Sequence, residues 1–241
     1  MPAVLEAMAA NRVTNALCIS VTLETLPAVL QLAADHANLN ATVGVHPDTE
    51  GLPEPSVADL VGLAARPKVV GIGETGLDYY RLTGDLSWQR ERFRTHIRAA
   101  REAGKPLVIH TRAAAEDTLA IMLAERAGEA GGVMHCFTET WEVAAAALDL
   151  GFHISFSGIV TFKNAQTIKE VARRVPLERM LIETDAPYLA PVPFRGKTNQ
   201  PAYVRYVAEE IARLRGVTVE EIAAATSANF FRLFGVKPDA Q

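Results

Sequence analysis

Four residues that can bind a metal ion stand at the ends of four separate apolar segments of this 241-residue sequence. They are Glu74, His110, His135 and Asp185. Two imidazoles and two carboxylates suit Zn²⁺, Mn²⁺ or Mg²⁺ bound through mixed nitrogen and oxygen ligands. A single histidine of this kind is more often a hydrogen-bonded core residue, so the set of four, rather than any one member, predicts a metal site.

Cationic and aromatic residues follow the same segments and form a local positive rim on a chain whose formal net charge is −4. The candidate substrate-binding residues are Tyr79, Tyr80, Arg81, Arg112, Lys163, Arg195 and Lys197. Arginine and lysine hold phosphate oxygens well, although loop cations are also common as solvated charge. His46 and Asp78 are predicted to lie just outside the ligand set, with a plain structural role as the alternative for His46. The residues expected to take no part in the site are His36, His96, Cys136 and His153.

Seven short apolar segments predict seven strands, with helices between them. The strands are predicted near residues 16–22, 41–47, 69–74, 106–110, 132–137, 152–159 and 180–185. Regular alternation of strand and helix favours parallel pairing, and in a (β/α)₈ barrel the carboxyl ends of all strands meet on one face. The four candidate ligands would then share one pocket.

Such a barrel normally takes about 250 residues and eight strands. The sequence therefore predicts an α/β, TIM-type barrel with seven of its eight strands identifiable, the absent one preceding residue 2. A doubly wound open sheet is the alternative fold, but no glycine-rich phosphate loop follows the first strand. Two helices are predicted at the carboxyl end of the chain, one after Thr218 and one over residues 227–234.

The composition is that of one compact domain covering residues 1–241. It is 49% hydrophobic and 22% charged, with a mean hydropathy of +0.09. Two cysteines give no disulfide framework, no apolar run approaches the roughly 18 residues of a membrane span, and no signal peptide is recognisable. These features predict a cytoplasmic protein without a membrane partner, and the composition gives no indication of the oligomeric state.

Five motifs in order resemble the TatD family of metal-dependent deoxyribonucleases, and the resemblance runs from about residue 2 to Val236. The motifs are Gly73-Glu-Thr-Gly-Leu-Asp-Tyr-Tyr-Arg81, Val108-Ile-His-Thr-Arg112, Met134-His-Cys-Phe137, Ser155-Phe-Ser-Gly158 and Glu183-Thr-Asp-Ala-Pro-Tyr-Leu189. The resemblance implies a TIM-type barrel that holds a pair of divalent cations. It also implies hydrolysis of DNA phosphodiesters, often from a 3′ end, with DNA as the partner.

By that resemblance Glu74 would bridge the two cations, His110 and His135 would complete one site, and Asp185 would belong to the other. We hypothesise that Asp185 also takes the proton from the attacking water as general base. Members of the family begin with a strand that carries a His-x-His pair, which this sequence does not contain. We expect that the given start lies downstream of the true one; the alternative is a truncated, open barrel with half of a metal site. A smaller departure is Phe194, where many relatives have histidine.

Two other functions remain open at this stage. One is an amidohydrolase or D-aminoacyl-tRNA deacylase that uses the same metal ligands. The other is a catalytically impaired barrel that binds metal or DNA without turnover. The positive rim favours the deoxyribonuclease, since phosphate oxygens are what such a rim would hold.

Overall fold

The computed structural model describes residues 1–237, in which seven parallel strands form one curled sheet with helices between them. The strands are β1 (Ala16–Cys18), β2 (Leu39–Val43), β3 (Val69–Asp78), β4 (Leu107–Arg112), β5 (Gly132–Met134), β6 (His153–Phe156) and β7 (Met180–Ile182). Their order in the sheet follows the chain, with β1 and β7 as the outer strands. The predicted α/β barrel with seven identifiable strands is confirmed as a curled half-barrel.

The helices lie between the strands and after the last one. They are α1 (Pro2–Ala10), α2 (Leu26–Asp35), α3 (Val57–Ala64), α4 (Ser87–Ala103), α5 (Ala115–Ala124), α6 (Trp141–Asp149), α7 (Gln166–Arg174), α8 (Val204–Arg215) and α9 (Val219–Phe234). Within residues 1–237, every helix is too short or too polar to cross a membrane.

The last helix corrects one expectation. Two separate helices were predicted after Thr218, but α9 is continuous over 16 residues. Its start has a capping box in which Thr218 and Glu221 bond each other's backbone amides, which satisfies two amides that the helix leaves unpaired. The hydroxyl of Thr226 donates to the carbonyl of Ile222 at 2.8 Å, so this polar side chain is satisfied without a break in the helix.

The sheet separates two apolar layers because strand side chains alternate between its faces. In β4, Leu107 and Ile109 pack in the large core between sheet and helices. Val108 points to the inner face, where it joins Val133 of β5 and Phe234 of α9. Helix α9 therefore covers part of the inner face of the sheet.

Strand β3 extends further than the sequence indicated. It was expected to end at Glu74, but Thr75 through Asp78 pair with residues 109–112 of β4. The candidate ligand Glu74 consequently sits inside a strand, held by backbone pairing on its carboxyl-terminal side. That placement gives the site a rigid base rather than a loop.

Candidate functional site

One carboxylate oxygen is the centre of the candidate metal site. Glu74 Oε1 lies 3.2 Å from His46 Nε2, 3.2 Å from His110 Nδ1 and 2.7 Å from His135 Nε2. Glu74 is buried, with 7% of its surface exposed. Three imidazole nitrogens around one buried carboxylate oxygen are a donor set typical of a transition-metal or zinc site.

The donor atoms fall into two groups whose members could each hold one cation. His46, Glu74 and His110 form one, and His135, Glu183 and Asp185 form the other, with all donor atoms of a group within 4.8 Å of one another. The short contact between Glu74 and His135 joins the two groups. Their mixed nitrogen and oxygen chemistry fits two divalent cations sharing the Glu74 carboxylate.

The structure thus brings together all four residues that the sequence predicted as ligands. It groups them differently from the resemblance, because His46 stands with Glu74 and His110, while His135 stands with Asp185. Glu183 is a donor that the sequence analysis did not single out. Alternation along β7 was the available signal, since Leu181 faces the inner layer and residue 183 continues on that face.

Backbone hydrogen bonds across the sheet fix the loops that carry the second group. The amide of His135 donates to the carbonyl of Ile109 at 2.9 Å, and the amide of Glu183 donates to the carbonyl of Phe156 at 3.0 Å. The buried Asn199 side chain donates to the carbonyls of Thr184 and Tyr188, which flank Asp185. The two backbone bonds continue the strand pairing one residue past β5 and β7, and the Asn199 bonds hold the loop that contains Asp185.

A carboxylate orients each histidine of the first group. His110 Nε2 lies 3.1 Å from Asp78 Oδ2, and His46 Nδ1 is hydrogen-bonded to Asp48 Oδ1. Carboxylates in this position fix the ring and its tautomer for metal binding. Asp78 was predicted for this place beside the ligands, whereas Asp48 was not singled out.

The surroundings of the cluster lower the pKa of two carboxyl groups, Asp78 and Glu74, and raise the pKa of a third, Asp185. Burial would raise the pKa of Asp78, but hydrogen bonds from His110 and from the amides of Arg81 and Tyr80 lower it to about 2. Burial likewise opposes ionisation of Glu74, yet the neighbouring His135 charge and the histidine hydrogen bonds hold its pKa well below the ordinary value. Burial and then the charge of Glu183 raise the pKa of Asp185.

Part of the predicted positive rim is already engaged in contacts within the protein. Arg81 Nη1 lies 2.8 Å from Asp48 Oδ2, so this cation continues the chain of contacts that begins at His46. The hydroxyl of Tyr79 donates to Asp117 Oδ2 at 2.6 Å, which ties this ring to helix α5. Both residues therefore hold other groups of the protein in place.

Other rim residues present flat or charged faces to solvent. The Arg112 guanidinium lies 3.9 Å from the centre of the Tyr80 ring, whose side chain is 67% exposed. Arg195 lies 3.7 Å above the Phe162 ring, and Lys197 lies 5.9 Å from the Phe194 ring. Lys163 is exposed on the loop after β6. These loops all follow strand carboxyl ends, the edge at which the donor cluster lies.

Phe194 is part of an aromatic stack. Its ring lies parallel to that of Tyr203 with centroids 4.1 Å apart, and Tyr206 packs edge-on against it at 5.1 Å. The phenylalanine therefore fixes the loop that carries Arg195 by packing, where a histidine would add a polar group.

His96 supports the strand end that carries His46. The amide of Val45 donates to His96 Nε2 at 3.0 Å, and His96 Nδ1 donates to the carbonyl of Arg92 at 2.8 Å. Burial lowers the pKa of His96 to about 4 from its ordinary 6.5. The sequence analysis expected no part for this residue, and the structure gives it a supporting one.

We expect His96 to make the protein less stable in acid. Above pH 6.5 the ring is neutral in both states; as the pH falls towards 4, the unfolded chain takes up the proton first, so stability is lost. This interval corresponds to about 3 kcal/mol. His96→Gln, followed by urea unfolding between pH 7 and pH 4, should lose less stability than the wild type by that amount. Equal profiles for the wild type and His96→Gln would contradict the assignment.

Comparisons with known proteins agree on one relationship. Residues 1–235 match the family described as TatD related DNase. The metal-dependent hydrolase YcfH of Escherichia coli K12 is 51% identical over 233 residues, which are 97% of this chain and 88% of that protein. The 3′-5′ ssDNA/RNA exonuclease TatD of Citrobacter rodentium is 35% identical over 212 residues, covering 86% of this chain and 81% of that one.

A solved structure gives the same result at the level of the fold. YjjV, a TatD homologue from Escherichia coli K12, superposes with a TM-score of 0.90 and 28% identity, covering 98% of this chain and 92% of that one. The donor cluster described above is therefore found in a chain that aligns with such hydrolases over nearly its full length.

Proposed function

The chain belongs to the TatD family of metal-dependent hydrolases, and from that membership we propose that it hydrolyses DNA phosphodiester bonds, releasing nucleotides from 3′ ends. The observation that carries the proposal is the cluster of His46, His110 and His135 around one oxygen of Glu74. The substrate assignment draws on the exonuclease name of the Citrobacter relative and on the cationic rim. We propose single-stranded DNA or frayed 3′ ends as the bound form.

The two donor groups would hold up to two Mg²⁺, Mn²⁺ or Zn²⁺ ions. When bound, such cations activate water and stabilise the charge that develops during phosphoryl transfer. Glu74 is the natural shared ligand, since a carboxylate can offer an oxygen to each of two ions. Asp48 and Asp78 keep the rings of His46 and His110 in the orientation that binding requires.

Asp185 is proposed to take the proton from the attacking water. It belongs to the second donor group, and a general base must lie within hydrogen-bond reach of the proton that it removes. The neighbouring Glu183 would remain a ligand, because its carboxylate already contacts His135 Nδ1 at 3.2 Å.

The rim is proposed to place the substrate. The exposed Tyr80 ring, stacked on Arg112, offers a flat face for a nucleobase, and base–aromatic stacking contributes about 1–3 kcal/mol per base. Lys163, Arg195 and Lys197 would hold phosphate oxygens. Tyr79 and Arg81 would act mainly through the contacts that fix Asp117 and Asp48.

Nucleotide release from 3′-labelled single-stranded DNA tests the proposal. We expect release with Mg²⁺ and none with excess chelator, and we expect Asp185→Ala to lower the rate by about 10²–10⁴-fold through loss of the base. Asp149→Ala, an exposed aspartate at the end of α6, is the matched control and should keep the wild-type rate.

The outcomes separate the substrate from the chemistry. Release that survives Asp185→Ala would contradict the role of this residue. If metal-dependent release is absent but the metal-loaded protein hydrolyses amide or aminoacyl-ester substrates, the hydrolase stands and DNA is the wrong substrate.

A further inference from the structure

A second polar cavity lies at the opposite end of the sheet from the donor cluster. It has a volume of about 560 Å³ and opens where β6 and β7 begin, beside the last turns of α9. Its lining residues are Gly151, His153, Glu178, Arg179, Arg232 and Leu233. The cavity shares none of them with the candidate metal site.

His153 is the unusual feature of this cavity. The residue is 4% exposed, and within residues 1–237 neither ring nitrogen has a hydrogen-bond partner. The backbone of Gly132 approaches the ring but does not meet hydrogen-bond geometry. Both nitrogens are also closed to solvent, so a ligand in the cavity would reach them only after the ring or its neighbours shift. A buried donor or acceptor without a partner is costly and rare, and a bound group would relieve that cost.

Two arginines supply positive charge to the same cavity. Arg179 donates one bond from Nη1 to the carbonyl of Gly151, and Arg232 donates from Nη2 to the carbonyl of Glu178 and to Asn229 Oδ1. In the described part of the chain, Nε and Nη2 of Arg179 and Nε and Nη1 of Arg232 make no such bond. Both guanidinium groups therefore keep donors for a ligand.

The charge balance of the cavity favours an anion. Burial, followed by the positive charges of Arg179 and Arg232, lowers the pKa of His153 to about 4. Glu178 is the acidic residue in the lining, and its exposed side chain forms no ion pair within 4.0 Å among residues 1–237. Two cations beside a neutral imidazole, with one unpaired carboxylate at the exposed edge, leave a net positive cavity.

We propose that this cavity binds a phosphate group, as free phosphate or as a phosphate monoester, through Arg179, Arg232 and His153. A guanidinium fork matches phosphate oxygens with two parallel bonds, and the imidazole N–H would supply a further donor. The volume exceeds what one phosphate needs, which leaves room for an attached organic group. This site is independent of the proposed nuclease activity, and it reverses the expectation that His153 takes no part in function.

Phosphate-dependent thermal stability is the first measurement. Inorganic phosphate at about 100 times its dissociation constant should raise the unfolding temperature of the metal-loaded protein by roughly 5–10 °C, in a saturable way. Arg179→Gln and Arg232→Gln should each weaken phosphate binding by about tenfold or more, since each removes charged hydrogen bonds. Glu178→Gln is the matched control; it removes the like charge and should bind phosphate at least as tightly as the wild type.

Imidazole nitrogen NMR gives a second readout that needs no folded arginine variant. Signals assigned to His153 by their loss in His153→Gln should move with phosphate in the wild-type protein. A deoxynucleoside 5′-monophosphate that moves them at lower concentration than inorganic phosphate would identify an ester as the ligand; equal or weaker action would identify free phosphate.

Phosphate can also bind at the metal centre, and the variants separate the two places. Binding at the metal centre would survive both arginine substitutions and leave the His153 signals in place. The proposal would be overturned if phosphate stabilised the Arg179→Gln/Arg232→Gln double variant as much as the wild type. It would also be overturned if phosphate did not move the His153 signals.

Discussion

Glu74→Gln should lower metal-dependent turnover by at least about 10³-fold. The substitution removes a carboxylate charge that would stabilise bound cations by several kcal/mol. The carboxylate oxygen contacts three imidazoles at 2.7–3.2 Å, so one substitution affects both donor groups. Removing a partner outside the ligand set costs about 10–100-fold in metal affinity, and a shared ligand should cost more. Metal content after dialysis and kcat/KM at saturating metal measure the two effects.

Two companion variants show whether the loss is specific. Asp48→Asn keeps His46 but weakens the contact that orients it, and we expect an intermediate loss of about 10–100-fold in metal affinity. Glu102→Gln changes an exposed glutamate of α4 and should retain the wild-type metal content and rate. Wild-type turnover in Glu74→Gln, with circular dichroism showing a folded protein, would remove Glu74 from the centre of the site.

Much of the site could be predicted because strand ends carry positional information. In a parallel sheet the carboxyl ends of all strands meet at one edge, so residues in the carboxyl-terminal half of a strand or just past its end, such as Glu74, His110 and His135, converge there. The residue types then limit the chemistry to mixed nitrogen and oxygen coordination. The fold could also be predicted from the sequence, because apolar segments that alternate with helices indicate seven parallel strands.

The remaining contacts depend on packing that no local pattern encodes. Arg81 reaches Asp48, and Tyr79 reaches Asp117, across 33 and 38 residues of sequence. His46 lies three residues past the end of β2, and its ring reaches Glu74 Oε1 at 3.2 Å although the two residues are 28 positions apart in sequence. His96 was dismissed as a helix residue, yet its ring receives the Val45 amide across 51 residues. Such partners follow from how α4 and the strands pack.

Gly76→Ala should destabilise the protein by about 4 kcal/mol, from backbone strain and overpacking together. Gly76 has a φ of +130°, and a Cβ there would lie 1.9 Å from the carbonyl oxygen of His110, its partner across β3 and β4. The two strands would have to separate at the residue that carries a candidate ligand. We therefore expect the unfolding temperature to fall by roughly 8–16 °C and metal affinity to fall with it.

Gly84→Ala separates the two causes. Gly84 also has a positive φ, +93°, but a Cβ at this exposed position meets no atom within 4 Å. Backbone strain alone then costs about 1 kcal/mol, and metal binding should stay at the wild-type level. If both variants lost the same stability and Gly76→Ala kept its metal affinity, close approach of β3 to β4 would not be what requires glycine at this position. A larger loss confined to Gly76→Ala would show that this glycine holds the two strands close enough for Glu74 and His110 to share one site.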